Sequence, residues 1–426
     1  MTRFALPGGV TRVGVGLLGL VAVSALVFCG GEGDGGSSEE TSPAEPLSEA
    51  GTPGTPTTPG GPGTPRTDSA TDGPGVEAGD SSVDPGCGSY PYSAASLLAE
   101  RVGFGAKTVG GAATNIVHVT TLADTGPGSL REALLSTASS WIVFDVSGTI
   151  KWASSVRPKP SKTVDGRGRS IVVEGEWKLD AGTHDVIISD IAMLLASGAT
   201  GDVVGVRGHG NANPATFDTR DLWFHHLDLS KGGDGLVDLR GATGVTFSWN
   251  HLHDHAKAFL HARNTDDGEA GGMRVTYHHN WFEKISRRGP QFAFGEADFF
   301  NNYQDKWYEF GAAGVAGARF LSEANIYEAR PGSFCFPVAC PDPNSPTGDS
   351  DLEVSKQALI DEIDTTGKGN TKSVGDLLLN GAIATQTNPG AVFARATYYT
   401  ATVEPATPAL VLKIKAGAGP RTAYCK

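Results

Sequence analysis

The stretch Val275-Thr-Tyr-His-His-Asn280-Trp-Phe282 decides the fold, because its pattern returns along the chain. A short apolar run leads into an Asn, and a large apolar residue follows. The motif recurs at Asn250-His-Leu252, at Asn302-Tyr303 with Asn301 before it, and at Asn325-Ile-Tyr327. The steps are 30, 22 and 23 residues, and His226-Leu-Asp228 lies 24 before Asn250. One coil of a parallel β-helix needs about this length, and equivalent Asn side chains can then stack into a ladder of amides bonded along the axis. Asn scattered among turns is the plainer explanation, but four in register after a strand speak against it. A β-propeller, the structural alternative, wants a longer period of roughly forty residues.

Outward from this stretch, short apolar runs alternate with Gly, Asn and Asp. Asn115-Ile-Val-His-Val, Trp141-Ile-Val-Phe, Lys162-Thr-Val, Ile171-Val-Val, Asp185-Val-Ile-Ile, Asp221-Leu-Trp-Phe, Gly244-Val-Thr-Phe and Arg274-Val-Thr-Tyr read as strands. Helical patterning is confined to Ala94 to Arg101 and Leu130 to Leu135. The expected fold is all-β: a single-stranded parallel β-helix with an N-terminal helical cap and a loop-rich C-terminal segment. Residues 331 to 426 match no motif and are expected to cap the end and pack back along the side.

Three regions follow from composition. Arg3 and Arg12 precede the apolar run Val13 to Phe28, which ends at Cys29-Gly-Gly and reads as an export signal over residues 1–29. It resembles a bacterial lipoprotein signal, with Cys29 as the lipidated residue, although Phe28 is larger than the residue usual there. A plain secretory signal and an uncleaved membrane helix are the other readings, and all three export the chain. Residues 30–86 are a linker of Gly, Pro, Ser, Thr and acids, too poor in apolar residues to bury a core. Residues 87–426 form the folded domain. Of the formal net charge of -13, the linker carries -10, so the domain is only mildly acidic and lacks the basic balance of a nucleic-acid binder. With Cys29 set aside, Cys335 can pair with Cys340 and Cys87 with Cys425 in an oxidising compartment, though sequence does not fix connectivity.

Between Asp234 and Arg288 the chain places acids and cations on short strands. In Asp234-Gly-Leu-Val-Asp238-Leu-Arg240, alternate residues share a face, so Asp234, Asp238 and Arg240 are expected to point to solvent together. A straight strand would separate residues four apart by about 13 Å, so a shared ion requires a bend, which Gly235 permits. The histidines offer a competing reading. His225, His226, His251, His253, His255, His278 and His279 cluster in sequence, and His251, His253 and His255 would share a strand face suited to zinc.

Residues 87 to 330 resemble the pectate lyase family of right-handed parallel β-helices. The resemblance rests on the joint order of Ala99-Glu-Arg-Val-Gly-Phe-Gly105, Gly128-Ser-Leu-Arg131, Ile142 to Ile150, Leu222-Trp-Phe-His-His-Leu-Asp-Leu-Ser230, Asp234-Gly-Leu-Val-Asp238, Ser248-Trp-Asn250, Asp254-His-Ala-Lys257 and Val275 to Phe282. It implies calcium-dependent β-elimination on α-1,4-polygalacturonate, giving 4,5-unsaturated oligogalacturonides. Asp202, Asp234 and Asp238 match the family's calcium acids. Calcium wants six to eight oxygens at about 2.3 to 2.6 Å. Lys257 matches the lysine that holds a substrate carboxylate, and Arg240 stands where another cation is common. Arg288, in Arg287-Arg-Gly-Pro290, matches the catalytic arginine, with Arg287 a further substrate contact or, one residue out of register, the base itself.

The chain also departs from that pattern. A second arginine is usual five residues past the catalytic one, yet Ala293 stands there. His225, Ala256 and Ala258 replace residues more common in the family. A polysaccharide-binding or adhesive β-helix without turnover is therefore the alternative function. Pectin lyase and a paired-carboxylate hydrolase fit less well, since the calcium acids are kept and the matched motif supplies a cation where a hydrolase needs an acid. The expected protein is a monomer, secreted or lipid-anchored at a bacterial cell surface, acting on acidic plant cell-wall polysaccharide.

Overall fold

Strands of two to seven residues, each too short to stand alone, stack coil upon coil in a computed structural model that describes residues 93–209, 213–261, 271–331, 355–363 and 367–421. The signal, the linker and all five cysteines lie outside the described residues, and the proposed disulfides with them.

Every ladder between named strands is parallel, and the strands gather into three sheets. Among the described residues the first has ten strands, from Ile116–Val119 to Asn370–Val374; the second nine, from Gly148–Lys151 to Leu377–Leu379; the third eight, from Trp177–Asp180 to Ile383–Ala384. One coil takes one strand from each. Thr219–His225 in the first sheet is followed by Asp228–Ser230 in the second and Val237–Arg240 in the third, and the next coil repeats this as Ala242–Ser248, His251–His253 and Phe259–His261. The architecture is the expected parallel β-helix.

The corner between the first and second sheets explains the repeated Asn. Trp249, His279, Asn301 and Ala324 sit there with φ between 49° and 61°, as do Asp190 and His226 one and more coils earlier. The residue after each points its side chain up the axis. Asn250 Nδ2 donates to Asn280 Oδ1 at 2.9 Å, Asn280 to Asn302 at 2.9 Å, and Asn302 to Asn325 at 3.0 Å. Each amide oxygen also accepts the backbone N–H of the coil before, so buried polar groups are satisfied without water. Asp376 takes the place of Asn in the last coil, accepting from Asn325.

Inside the coils the apolar side chains stack in columns. Phe224 lies on Phe247 at 4.7 Å, Phe247 on Tyr277 at 5.8 Å, and Phe299 on Phe320 at 5.8 Å. The first-coil end is closed by α2 (Leu130–Leu135), which buries Leu130, Ala133 and Leu134 and is capped by Ser129. Helix α1 (Ala94–Leu98), three residues shorter than its sequence pattern, lies elsewhere, with Leu97 against Trp141, Val143, Ile187 and Trp223 on the outside of the first sheet.

The C-terminal segment does pack back along the side, but through a helix the sequence did not signal. Helix α3 (Pro408–Gly417) sets Leu410 and Ile414 against Tyr303 and Ile326 on the second sheet. Its apolar residues run nearly all round, and Leu412 is exposed, which blurs the one-sided pattern that marks such helices. Beyond it, Arg421 forms a bidentate pair with buried Asp190 and also binds Glu100.

Candidate active site

The third sheet carries the matched residues on four successive coils. Val204, Val237 and Phe259 are register partners, and Lys257 bridges Arg287. Counting back two residues from the first three aligns Asp202, Gly235 and Lys257 in one column, which Arg287 extends. Arg288 sits one position on.

The chain from Lys231 to Leu236 is a turn, not a strand, which corrects the expected strand face. Asp238 and Arg240 do share a face, with Arg240 Nη2 3.0 Å from Asp238 Oδ2, but Asp238 is buried beneath the guanidinia of Arg240 and Arg207 rather than turned to solvent as expected. Asp234 reaches the same region from the exposed turn. Gly235 makes this possible: a Cβ there would stand 2.9 Å from Asp202 Oδ1, so a side chain would displace that carboxylate.

The three acids feel one another. Burial pushes Asp202 up to about 6, with Asp238 and Asp234 adding to the rise. Burial works in the same direction on Asp234, but the hydrogen bond and charge of Lys257, 3.0 Å away, bring it below the ordinary carboxylate value. Asp238 is held between two guanidinia, Arg240 and Arg207, the latter at 2.9 Å. The oxygens of Asp202, Asp234 and Asp238 do not gather within 4.8 Å of one another; Lys257 holds Asp234 and the two guanidinia hold Asp238, while Asp202 has as its cation only Arg207, at 3.8 Å, among the described residues. The donor set nevertheless fits calcium: three carboxylates on a glycine-relieved turn, one of them carrying charge that its surroundings leave poorly balanced.

Arg207 was missed by sequence reasoning, and a signal for it existed. It is the register partner of Arg240 and lies five residues past Asp202, as Arg240 lies five past Gly235. It also approaches Asp202 at 3.8 Å.

Arg288 has left-handed backbone, φ 59°, and a half-buried side chain. Burial lowers its pKa, and Arg287 lowers it further, against the pull of Asp234, Glu309 and Asp238. Arg287 differs, since Glu309 holds its guanidinium at 2.7 Å. This pairing argues for Arg288 over Arg287 as the group that meets substrate. Ala293 is buried beside Phe292, and its place supplies no cation.

The histidines separate. His251 and His253 share the outer face of the second sheet around Asp228, but the strand ends at His253, and His255 turns away to bind the Asp234 carbonyl at 3.1 Å. His225, His226, His278 and His279 are buried structural residues of the corner between sheets one and two.

The all-parallel coils define a parallel β-helix protein, with carboxylates and guanidinia set along its third sheet. The comparisons agree. A family model described as pectate lyase matches residues 218–395. The chain is 30% identical over 280 residues to a pectate lyase of Emericella nidulans, covering 63% of this chain and 77% of that protein. It is 30% identical over 244 residues to a probable pectate lyase of Solanum lycopersicum, covering 54% of this chain and 61% of the relative. Among solved structures, the cedar pollen allergen jun a 1 superposes with TM-score 0.62 at 23% identity, covering 76% of this chain and 94% of that one. A pectate lyase from Bacillus sp. N165 in complex with trigalacturonate superposes at 0.53 with 17% identity, over 76% and 99%. The superpositions support the fold alone. The chain belongs to the pectate lyase family. It spans 61% and 62% of the length of its tomato and tobacco relatives.

Proposed function

We propose that the chain cleaves polygalacturonate by calcium-dependent β-elimination. The observation that carries this reading is the convergence of Asp202, Asp234, Asp238, Lys257 and Arg288 along one side of the third sheet, with Asp202 raised to about 6 by burial and its acidic neighbours. Calcium held by the three acids would neutralise the uronate carboxylate and so acidify the proton on C5.

The chain's own groups do the rest. Lys257 exchanges Asp234 for a substrate carboxylate, and Arg240 and Arg207, released from Asp238, offer planar bidentate contacts to a second uronate. Arg288 in its neutral form accepts the C5 proton. The C–H electron pair becomes the C4–C5 double bond, the C4–O bond to the neighbouring sugar breaks, and the departing oxygen takes a proton from water. Guanidinium is ordinarily protonated, so the lowered pKa of Arg288 matters, and turnover rises toward alkaline pH.

The test is Arg288→Ala and Arg288→Lys on polygalacturonate, following the ultraviolet absorbance of the conjugated alkene, with calcium and with a chelator. Loss of a positioned base costs about 10²- to 10⁴-fold in kcat. Turnover that survives chelation would remove the acids from the reaction. A binding or adhesive role without turnover is the second reading, favoured by Ala293, and retention of polygalacturonate with no alkene formed would support it. The proposal includes export, with Cys29 as a lipid anchor, and a monomeric chain; metabolic labelling with a fatty acid and sedimentation test these.

A further inference from the structure

We propose that Asp228, His251 and His253 form a second metal site, on the second sheet where the calcium acids belong to the third, for a nitrogen-seeking dication of the Zn2+ class. Asp228 and His251 are register partners on neighbouring coils of the second sheet, and His253 follows on the same strand. Their ligand atoms lie within 4.8 Å of one another. His253 Nε2 is 3.0 Å from Asp228 Oδ2, and His251 Nδ1 is 3.5 Å from the same oxygen.

The far side of each ring is what distinguishes this group from an ordinary surface ion pair. His253 Nδ1 meets Asp254 at 3.1 Å, and His251 Nε2 meets Glu283 at 3.1 Å. A ring N–H donated to a carboxylate fixes the tautomer and leaves the other nitrogen's lone pair facing the ion, the arrangement that outer carboxylates give metal-bound histidines. The rings are also held in place. His251 stacks between Trp281 at 4.1 Å and His253 at 4.3 Å. Side-chain exposures of 16%, 20% and 28% for His251, His253 and Asp228 leave the group open to an incoming ion.

A comparable group elsewhere is already filled. Glu100, His225 and His226 also gather, but Arg421 takes both oxygens of Glu100. Asp228 pairs only with imidazoles among the described residues. Two nitrogens and one carboxylate give zinc three protein ligands, with solvent completing four-coordination. The calcium acids offer oxygen alone, so the two sites select different ions. The metal would tie two coils together just before the loops that carry Asp234 and Lys257.

The experiment is calorimetric titration of Zn2+ into the full chain saturated with calcium. One equivalent should bind with micromolar or tighter affinity. The double variant His251→Gln with His253→Gln should lose that binding, and Glu283→Gln should weaken it about 10- to 100-fold. Co2+ bound to the unaltered chain should give a visible ligand-field band without sulfur charge transfer, which separates this site from the five cysteines and needs no variant. No saturable uptake, affinity unchanged in the double variant, or a sulfur-to-cobalt band would each overturn the assignment.

Discussion

Asp202 and Arg288 are both pushed toward their neutral forms, one in a cluster of acids and the other beside a second arginine. Asp202 yields a pH prediction for the calcium-free chain. Its folded pKa of about 6 stands above the ordinary 3.8, so its contribution to stability is present in full below the ordinary value and is lost as pH rises through 6. Two units amount to at most about 3 kcal/mol. With chelator present, Asp202→Asn should therefore be more stable than the unaltered chain at pH 8 and similar at low pH, by urea denaturation. Adding calcium should close the gap at pH 8 by stabilising only the chain that keeps the acid.

At the scale of the element, the Asn ladder makes the sharpest claim. Asn280 accepts from both the side chain and the backbone of Asn250 and donates to Asn302 and to the Phe247 carbonyl. Asn280→Ala strands these buried partners, and with about 1–3 kcal/mol per unsatisfied group the loss should exceed 2 kcal/mol in urea denaturation. The ladder was legible in the sequence because Asn is polar, periodic and placed after an apolar run. The first-sheet strands were legible for the same reason: Thr219–His225 and Ala242–Ser248 are long enough to show a pattern. Asp228–Ser230 and His251–His253 are not, since three residues cannot establish a period. Face reasoning succeeded for Asp238 and Arg240, within one strand, and failed for Asp234 and His255, where a turn had already begun. Arg207 was hidden because its partner Arg240 lies one coil away, so only alignment of the coils would have exposed it.

Across the whole molecule, buried histidines should add to the loss of stability in acid. Burial lowers His226 to about 4 and His261 to about 3, and pushes His225 and His278 well down. Groups with depressed folded values stabilise fully above their ordinary pKa of 6.5, and that stability fades as pH falls toward the folded values, because the unfolded chain takes up the protons. His261 is the cleanest probe, since neither ring nitrogen has a partner among the described residues and its ring packs against Phe247, Phe259, Tyr277 and Phe292. His261→Phe should flatten the fall in melting temperature between pH 6.5 and 4, whatever its effect at pH 8. The C-terminal contacts act at the same scale: Arg421→Ala leaves Asp190 buried and unpaired, and calorimetric or urea unfolding should show a loss of about 3–5 kcal/mol.

Arrays of stacked units tend to fray from their outermost members, because each holds only its neighbours. Here the final described residue, Arg421, grips Asp190 and Glu100, far earlier in the chain. Releasing that grip would then come before the end coils part from the rest, so the described coils should melt as one body in calorimetry.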